Sequence, residues 1–99
     1  MAKFALQATL EARPGKEHEV EQFLRDAVAT VRGESGTRSW FALRFGPRKF
    51  GIFDTFDDEA GRQAHMTGEV AKALFARAEE LFSAKPQIEQ IDILAEKLP

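Results

Sequence analysis

Two residues combine a suitable chemical type with a position among apolar segments, His65 and Asp54. An imidazole has an unperturbed pKa of about 6.5, so His65 can take up or release a proton near neutral pH. Asp54 stands between Ile52 and Phe56, where a carboxylate is costly to bury without a partner. We therefore predict proton transfer at His65, with Asp54 either orienting the imidazole or accepting a hydrogen bond from a substrate hydroxyl.

The same residues also have structural interpretations. His65 can satisfy a backbone carbonyl at the end of a helix. Asp54 can pair with an arginine, for which the candidates are Arg38, Arg44 and Arg62. Trp40 can stack on a flat aromatic ligand, but a large aromatic side chain at this spacing is also typical of ordinary core packing. The sequence leaves these alternatives open.

Other patterns argue against most further kinds of site. The chain has no cysteine, which excludes disulfides, thiolate metal sites and cysteine nucleophiles. Its glycines match neither G-x-G-x-x-G nor the phosphate-binding G-x-x-x-x-G-K-[ST] pattern, and no serine lies in a G-x-S-x-G turn. His18 belongs to the polar side of its predicted helix, whereas His65 does not, which argues against an iron site built from two histidines. We expect neither a metal nor an organic cofactor.

The length and charge of the chain narrow the class of protein. It has 99 residues and a formal charge of −2, from 14 lysines and arginines against 16 aspartates and glutamates. This length is typical of one domain, which we expect to span residues 1–99. Nucleic-acid binders need a concentrated surplus of basic residues, and no apolar run approaches the roughly 20 residues that cross a bilayer. Met1–Leu10 lacks the features of a signal peptide, so we expect a cytoplasmic protein that binds neither membranes nor nucleic acids.

The hydrophobic periodicity predicts the elements that position these residues. Alternation of apolar and polar residues predicts strands, and an apolar stripe with helical spacing predicts helices. The predicted elements are, in order, a strand over 3–12, a helix from Lys16 that ends before Gly33, a hairpin of Thr37–Phe45 and Lys49–Phe56, a helix capped by Asp57 and broken at 67–69, a further helix to about Ser83, and a strand over Ile88–Leu98. This β-α-β-β-α-β order predicts an α+β, ferredoxin-like fold with an antiparallel sheet.

The predicted sheet carries apolar residues on both faces. In the second strand Trp40 and Ala42 share one face, whereas Phe41, Leu43 and Phe45 share the other. Two helices cover only one face, and a bare second face would expose a larger apolar patch than soluble monomers usually tolerate. We therefore predict a homodimer whose sheets pack face to face. A register shift of one residue would exchange Trp40 for Phe41 on the inner face, and the sequence does not decide between them.

The element order and two segments resemble the antibiotic biosynthesis monooxygenase domain family. One segment, ESGTRSW at 34–40, opens the second strand; the other, FDTFDDEA at 53–60 followed by Ala64-His65, joins the third strand to the next helix. The resemblance covers essentially the whole chain and implies a dimeric α/β barrel. The family includes cofactor-independent monooxygenases of quinols and polyketide aromatics, haem-degrading enzymes, and small proteins of unassigned role.

The resemblance also implies a pocket between the helices and the inner sheet face. His65 matches a histidine often found in the family after the third strand, and Asp54 is its expected catalytic partner. The residues expected to contact substrate are Leu6, Ala8, Trp40, Phe56 and Phe75. Haem-degrading relatives have an asparagine and a tryptophan where this chain has Ala8 and Phe56, which argues against haem degradation. Several monooxygenases of the family use a tyrosine, which this chain lacks.

Two functions of different classes follow from the sequence. The first is a cofactor-independent monooxygenase of a small phenol, quinol or polyketide-like aromatic, in which His65 takes the phenolic proton and the aromatic side chains hold the ring. The alternative is a non-catalytic dimeric binding or stress-related module that stores, carries or senses a small aromatic molecule. In both cases the partners are a small aromatic molecule and a second copy of the chain.

Overall fold

Four antiparallel strands form an open sheet with helices packed on one face, in a computed structural model that describes residues 2–99. The elements are β1 (Phe4–Glu11), α1 (Glu17–Val31), β2 (Thr37–Arg44), β3 (Lys49–Phe56), α2 (Glu59–Met66), α3 (Glu69–Ala76), α4 (Ala78–Leu81) and β4 (Gln87–Asp92). The strands lie in the order β2-β3-β1-β4. This arrangement confirms the predicted ferredoxin-like α+β fold.

The register of the sheet decides which side chains face the helices. Asp54 in β3 is the partner of Leu6 in β1 and of Trp40 in β2. Because side chains alternate between the faces of a strand, Trp40 lies on the inner face and Phe41 on the outer one. The ambiguity that the sequence left in β2 is thereby removed.

The core lies between this inner face and the helices. Phe50, Leu10 and Ile52 from the sheet pack against Leu24 of α1 and Leu74 of α3, and all five are buried. Helices α1 and α3 each bury an apolar stripe, as the spacing of their residues predicts, whereas α2 buries Gly61, Arg62 and His65. These side chains of the inner sheet face are therefore buried by helices of the same chain.

Three predicted boundaries are wrong. Asp58, not Asp57, caps α2, since Asp58 has an extended backbone and its carboxylate accepts a hydrogen bond from the Gly61 N–H at 2.7 Å. The last helical region is broken at Arg77, so that its final turn can place Leu81 in the core.

The third wrong boundary is the end of β4. This strand stops at Asp92, whose partner is Phe4, the first residue of β1. Beyond that point the N–H of Ile93 still donates to the carbonyl oxygen of Lys3 at 2.9 Å, but Lys3 precedes the first residue of β1. Leu94, which the prediction placed within the strand, is 93% exposed.

The outer face of the sheet is partly apolar. Phe41 and Phe45 are each 52% exposed, and Leu43 and Phe53 are half-buried. The ring of Phe45 packs over Gly51, where a Cβ would lie 2.7 Å from a ring carbon. In residues 2–99, no helix has the length and apolar character needed to cross a membrane.

Candidate active site

Two glycines allow α2 to approach the loop that precedes β2. A Cβ on Gly61 would lie 2.6 Å from the carbonyl oxygen of Gly36, and a Cβ on Gly36 would lie 2.9 Å from the Cα of Gly61. Either side chain would force these segments apart. Their close packing brings His65, near the end of α2, within reach of Glu34 in the loop.

His65 lies between two carboxylates. Its Nε2 is 2.8 Å from Oδ2 of Asp54, and its Nδ1 is 2.6 Å from Oε1 of Glu34. The imidazole is only 8% exposed, and its ring centroid is 5.5 Å from that of Phe56. The predicted pairing of His65 with Asp54 is therefore present, and a second carboxylate joins it.

The alternative partners of Asp54 are wrong. Arg38 pairs with Asp57, Arg44 with Glu21, and Arg62 with Glu59. Asp54, which is 1% exposed, instead has His65 as its ionic partner. An imidazolium thus supplies the countercharge that a buried carboxylate needs.

The pKa values of His65 and Asp54 are both shifted in this cluster. Burial raises the pKa of the Asp54 carboxyl, and the hydrogen bond to His65 opposes that rise in part. Burial alone would lower the pKa of His65, but its hydrogen bonds to Asp54 and Glu34 outweigh this effect and raise the pKa to about 9. At neutral pH His65 therefore has a proton on each ring nitrogen and donates to both carboxylates.

One oxygen of this cluster remains without a partner. Within the described residues, Oδ1 of Asp54 is buried and has no donor at hydrogen-bond geometry, although the backbone N–H of Leu6 acts on the carboxyl in the direction that lowers its pKa. Buried carboxylate oxygens are normally satisfied, so this oxygen is a candidate contact for a ligand. Asp54 itself lies in the wall of a cavity.

The cavity is small and apolar apart from Asp54 and His65. Its volume is about 130 Å³, and it lies between the sheet and helices α2 and α3. The residues that line it are Leu6, Ala8, Ile52, Asp54, His65, Met66, Val70, Ala71, Leu74, Phe75 and Ile88. Phe75 and Ile88 are also exposed to solvent and so mark its mouth. A dry cavity of about 150 Å³ is known to hold a molecule the size of benzene.

The structure brings some of the predicted contact residues to this cavity and not others. Leu6, Ala8 and Phe75 line it. Trp40 and Phe56 share the inner sheet face but are not part of its wall: Trp40 packs against the core, and Phe56 is completely buried. Trp40 remains next to the site because it is the strand partner of Asp54.

Sequence reasoning missed several residues of the site. Glu34 enters the sequence analysis only as the first residue of the segment 34–40, and its contact with His65 spans 31 residues of sequence. Nothing in the local pattern around Glu34 signals this contact. The apolar wall contributed by Val70 and Leu74 was predicted only as a helix stripe, because core and cavity positions share the same spacing.

The cluster does not have the geometry of a metal site. Asp54 and Glu34 approach opposite nitrogens of the same ring, so their oxygens do not converge on one point. Across residues 2–99 there is no group of three or more histidine, aspartate or glutamate side chains arranged to hold an ion. His18 is exposed on α1.

The chain is similar to known proteins in both sequence and structure. The sequence profile of a family described as antibiotic biosynthesis monooxygenase matches residues 3–77. No curated protein matches the chain. A solved structure of a protein of unknown function from Nitrosomonas europaea is 54% identical, with a TM-score of 0.97 and coverage of 100% of this chain and 96% of that one.

Two further solved structures are more distant. A Pseudomonas aeruginosa protein is 28% identical, with a TM-score of 0.79 and coverage of 96% of this chain and 97% of that chain. A Caulobacter crescentus protein, provisionally described as an antibiotic biosynthesis monooxygenase, is 22% identical, with a TM-score of 0.81 and coverage of 95% and 92%. At that identity the likeness concerns the fold alone.

Proposed function

Because the chain belongs to the antibiotic biosynthesis monooxygenase family, we propose that it is a monooxygenase of an electron-rich, single-ring phenol or quinol. The observation that carries this proposal is that Asp54, a buried carboxylate whose Oδ1 has no hydrogen-bond partner, stands in the wall of an apolar cavity. An acceptor in such a place selects a ligand that donates a hydrogen bond. A neutral hydroxyl group on a flat apolar ring has that chemistry.

The charges around the cavity support a neutral ligand. Its wall, as far as residues 2–99 form it, contains no arginine or lysine. The cluster pairs two carboxylates with a single imidazole. These carboxylates would repel a ligand's carboxylate or phosphate group, whereas a ligand's hydroxyl group can donate a hydrogen bond to Asp54.

The size of the cavity favours one ring over several. A volume of about 130 Å³ is close to that of cavities that hold benzene, and a polyketide-type molecule of three fused rings exceeds it. We therefore narrow the substrate class expected from the sequence to single-ring compounds.

In the proposed reaction Asp54 and His65 exchange the roles expected from the sequence. Both nitrogens of His65 are occupied, so Asp54 Oδ1 takes the hydroxyl proton and the imidazolium stabilises the negative charge beside it. The substrate anion then supplies the four electrons that reduce O₂. One oxygen atom forms a carbonyl on the ring, and the other leaves as water with two hydrogens from the substrate. The apolar walls exclude bulk water from the reacting anion.

The proposed reaction needs no cofactor, because the electron-rich anion is itself the reductant. This expectation comes from the family resemblance and from the chemistry of the substrate class. Chelation before the assay tests this expectation for metal ions, since activity that survives their removal does not depend on them.

We further propose that the active form is a homodimer joined through the outer sheet face. Phe41, Phe45 and the half-buried Leu43 and Phe53 give that face an apolar centre. The same surface on a second copy is complementary in a two-fold arrangement. The exposed apolar side chains then gain the burial that the helices provide only on the inner face.

Oxygen uptake by purified protein tests the proposed reaction. The substrates are substituted hydroquinones of one ring, with an anthrone as the three-ring comparison, after treatment with a chelator. Ala71→Leu fills the cavity wall and should abolish uptake, whereas Ala76→Leu, at the exposed end of the same helix, should leave it unchanged. Uptake that prefers the anthrone, or that survives Ala71→Leu, would contradict the proposed site.

A second function is favoured by the double hydrogen bonding of His65. A histidine fixed on both sides can serve a site that recognises a hydroxyl without oxidising the ligand. Such a protein would bind or sense a small aromatic molecule. Saturable quenching of Trp40, the single tryptophan, without any oxygen uptake would establish this function in place of the oxygenase.

A further inference from the structure

Glu34 contacts the proposed site from outside the cavity. Its Oε1 lies 2.6 Å from Nδ1 of His65 and also accepts a hydrogen bond from Thr37 Oγ1 at 2.7 Å. Glu34 is absent from the cavity wall and instead lines an outer groove of about 440 Å³ on the other side of His65. The imidazole therefore separates the cavity from the groove.

Asp54 depends on the charge of His65. An ionised carboxylate with 1% exposure is stable only beside a positive charge, and the imidazolium is its ionic partner. The imidazolium is itself buried, so one carboxylate would leave its Nδ1–H without an acceptor. In that case, moving the proton from Nε2 to Asp54 gives two neutral groups, which burial favours. A protonated Asp54 could no longer accept a proton from a ligand.

Other charged groups near His65 do not supply this second contact. Arg62, one turn earlier on α2, is directed toward Glu59 and the backbone oxygens of Ala5 and Ile91. Glu69 on α3 lines the same groove, but its nearest ionic partner is Lys72. Asp54 from β3 and Glu34 from the loop are thus the charged groups in hydrogen-bond contact with the imidazole.

We propose that Glu34 is a positioning residue that acts through His65 to keep Asp54 ionised and ready to accept the ligand's proton. The inference rests on the proposed function for its catalytic consequence, but the link between Glu34 and His65 stands on geometry alone. In the proton transfer, the ligand O–H bond breaks and an O–H bond forms at Asp54 Oδ1. His65 keeps both of its protons and remains hydrogen-bonded to Glu34. The close approach of Gly36 and Gly61 is the backbone feature that makes this contact possible.

Titration of the His65 ring by NMR tests the link without requiring a substrate. Glu34→Gln keeps the size and a carbonyl acceptor for Nδ1–H but removes the charge. In the wild type the ring should remain protonated up to about pH 9, and in Glu34→Gln its midpoint should fall by at least about one pH unit. Glu34→Asp should restore part of the difference. Glu69→Gln removes a carboxylate from the same groove and should leave the midpoint unchanged.

A second variant tests the same link if Glu34→Gln does not fold. Thr37→Val removes the hydroxyl that holds Glu34 in place and should shift the midpoint in the same direction by a smaller amount. An unchanged midpoint in a folded Glu34→Gln protein, or an equal shift in Glu69→Gln, would overturn the proposal.

The pH profile of turnover tests the catalytic consequence. If Glu34 acts through His65, the alkaline limb of kcat/KM should move to lower pH in Glu34→Gln, together with the NMR midpoint. A purely structural role would lower kcat/KM at all pH values without moving the limb, and that result would overturn the positioning role. If no substrate is oxidised at all, the proposed function fails while the NMR titration still decides the link between Glu34 and His65.

Discussion

The raised pKa of His65 makes the stability of the protein depend on pH in a defined direction. In the folded chain the pKa is about 9, and in the unfolded chain it should be near the usual value of about 6.5. Each pKa unit corresponds to about 1.4 kcal/mol, so the difference amounts to about 3 kcal/mol. Because the folded state binds this proton more tightly, the stabilisation is complete below about pH 6.5 and is lost as the pH rises through about 9.

Urea unfolding at pH 6 and pH 10 measures this effect. The protein concentration must be the same throughout, since the stability of a dimer depends on it. The free energy of unfolding should fall more steeply with pH in the wild type than in His65→Gln, by up to about 3 kcal/mol over this range. His18→Gln removes an exposed histidine and should retain the wild-type dependence.

The comparison of variants isolates His65 from the titration of lysines and other groups, which both proteins share. If His65→Gln loses as much stability between pH 6 and pH 10 as the wild type does, the imidazole is not held as a cation by its two carboxylates. The assignment of Asp54 as the proton acceptor would then have no electrostatic support.

Three further predictions concern the packing around the site. Gly61→Ala places a Cβ 2.6 Å from the Gly36 carbonyl oxygen and should lower the free energy of unfolding by about 1–3 kcal/mol in thermal unfolding. Gly46→Ala, whose Cβ would enter open space, should have little effect. Leu74→Ala shortens a buried side chain of the cavity wall and should lower the free energy of unfolding by about 2–5 kcal/mol. The enlarged cavity should bind two-ring naphthols, detected by quenching of Trp40 fluorescence, and a variant that does not bind them would contradict the assigned wall. If the proposed dimer forms through the outer sheet face, Phe41→Glu should give a monomer in light scattering, while Phe75→Glu, at 53% exposure on the helix side, should leave the dimer intact; a dimer that survives Phe41→Glu would exclude the outer sheet face as the interface.

The sequence predicts the order of elements because most segments have a single dominant period. β1 alternates over its whole length, and α1 has one continuous apolar stripe, so their types were unambiguous. In β2 both faces are apolar, and only pairing with β3 places Trp40 rather than Phe41 inside. The break at Arg77 depends on tertiary packing of Leu81, which local spacing does not reveal.

The part of the candidate site that can be predicted from the sequence consists of titratable residues that stand in or next to apolar segments. Asp54 was conspicuous as a carboxylate in an apolar strand, and His65 followed it in the next helix. Their contact could be expected, but the participation of Glu34 could not, because it depends on the approach of two backbone segments at Gly36 and Gly61. The exchange of roles between Asp54 and His65 likewise requires knowing that both ring nitrogens are occupied.

Isotope labelling with ¹⁸O₂ tests the central claim most directly. A single-ring hydroquinone is incubated with chelator-treated protein, and the product is reduced at once so that carbonyl exchange does not erase the label. Wild-type protein and Asp57→Asn, which alters an exposed carboxylate, should place one ¹⁸O atom in the product, and Asp54→Asn should lower the rate by about 100-fold or more. Unlabelled product, or undiminished labelling in Asp54→Asn, would contradict the assignment of this cavity as a monooxygenase site with Asp54 as its proton acceptor.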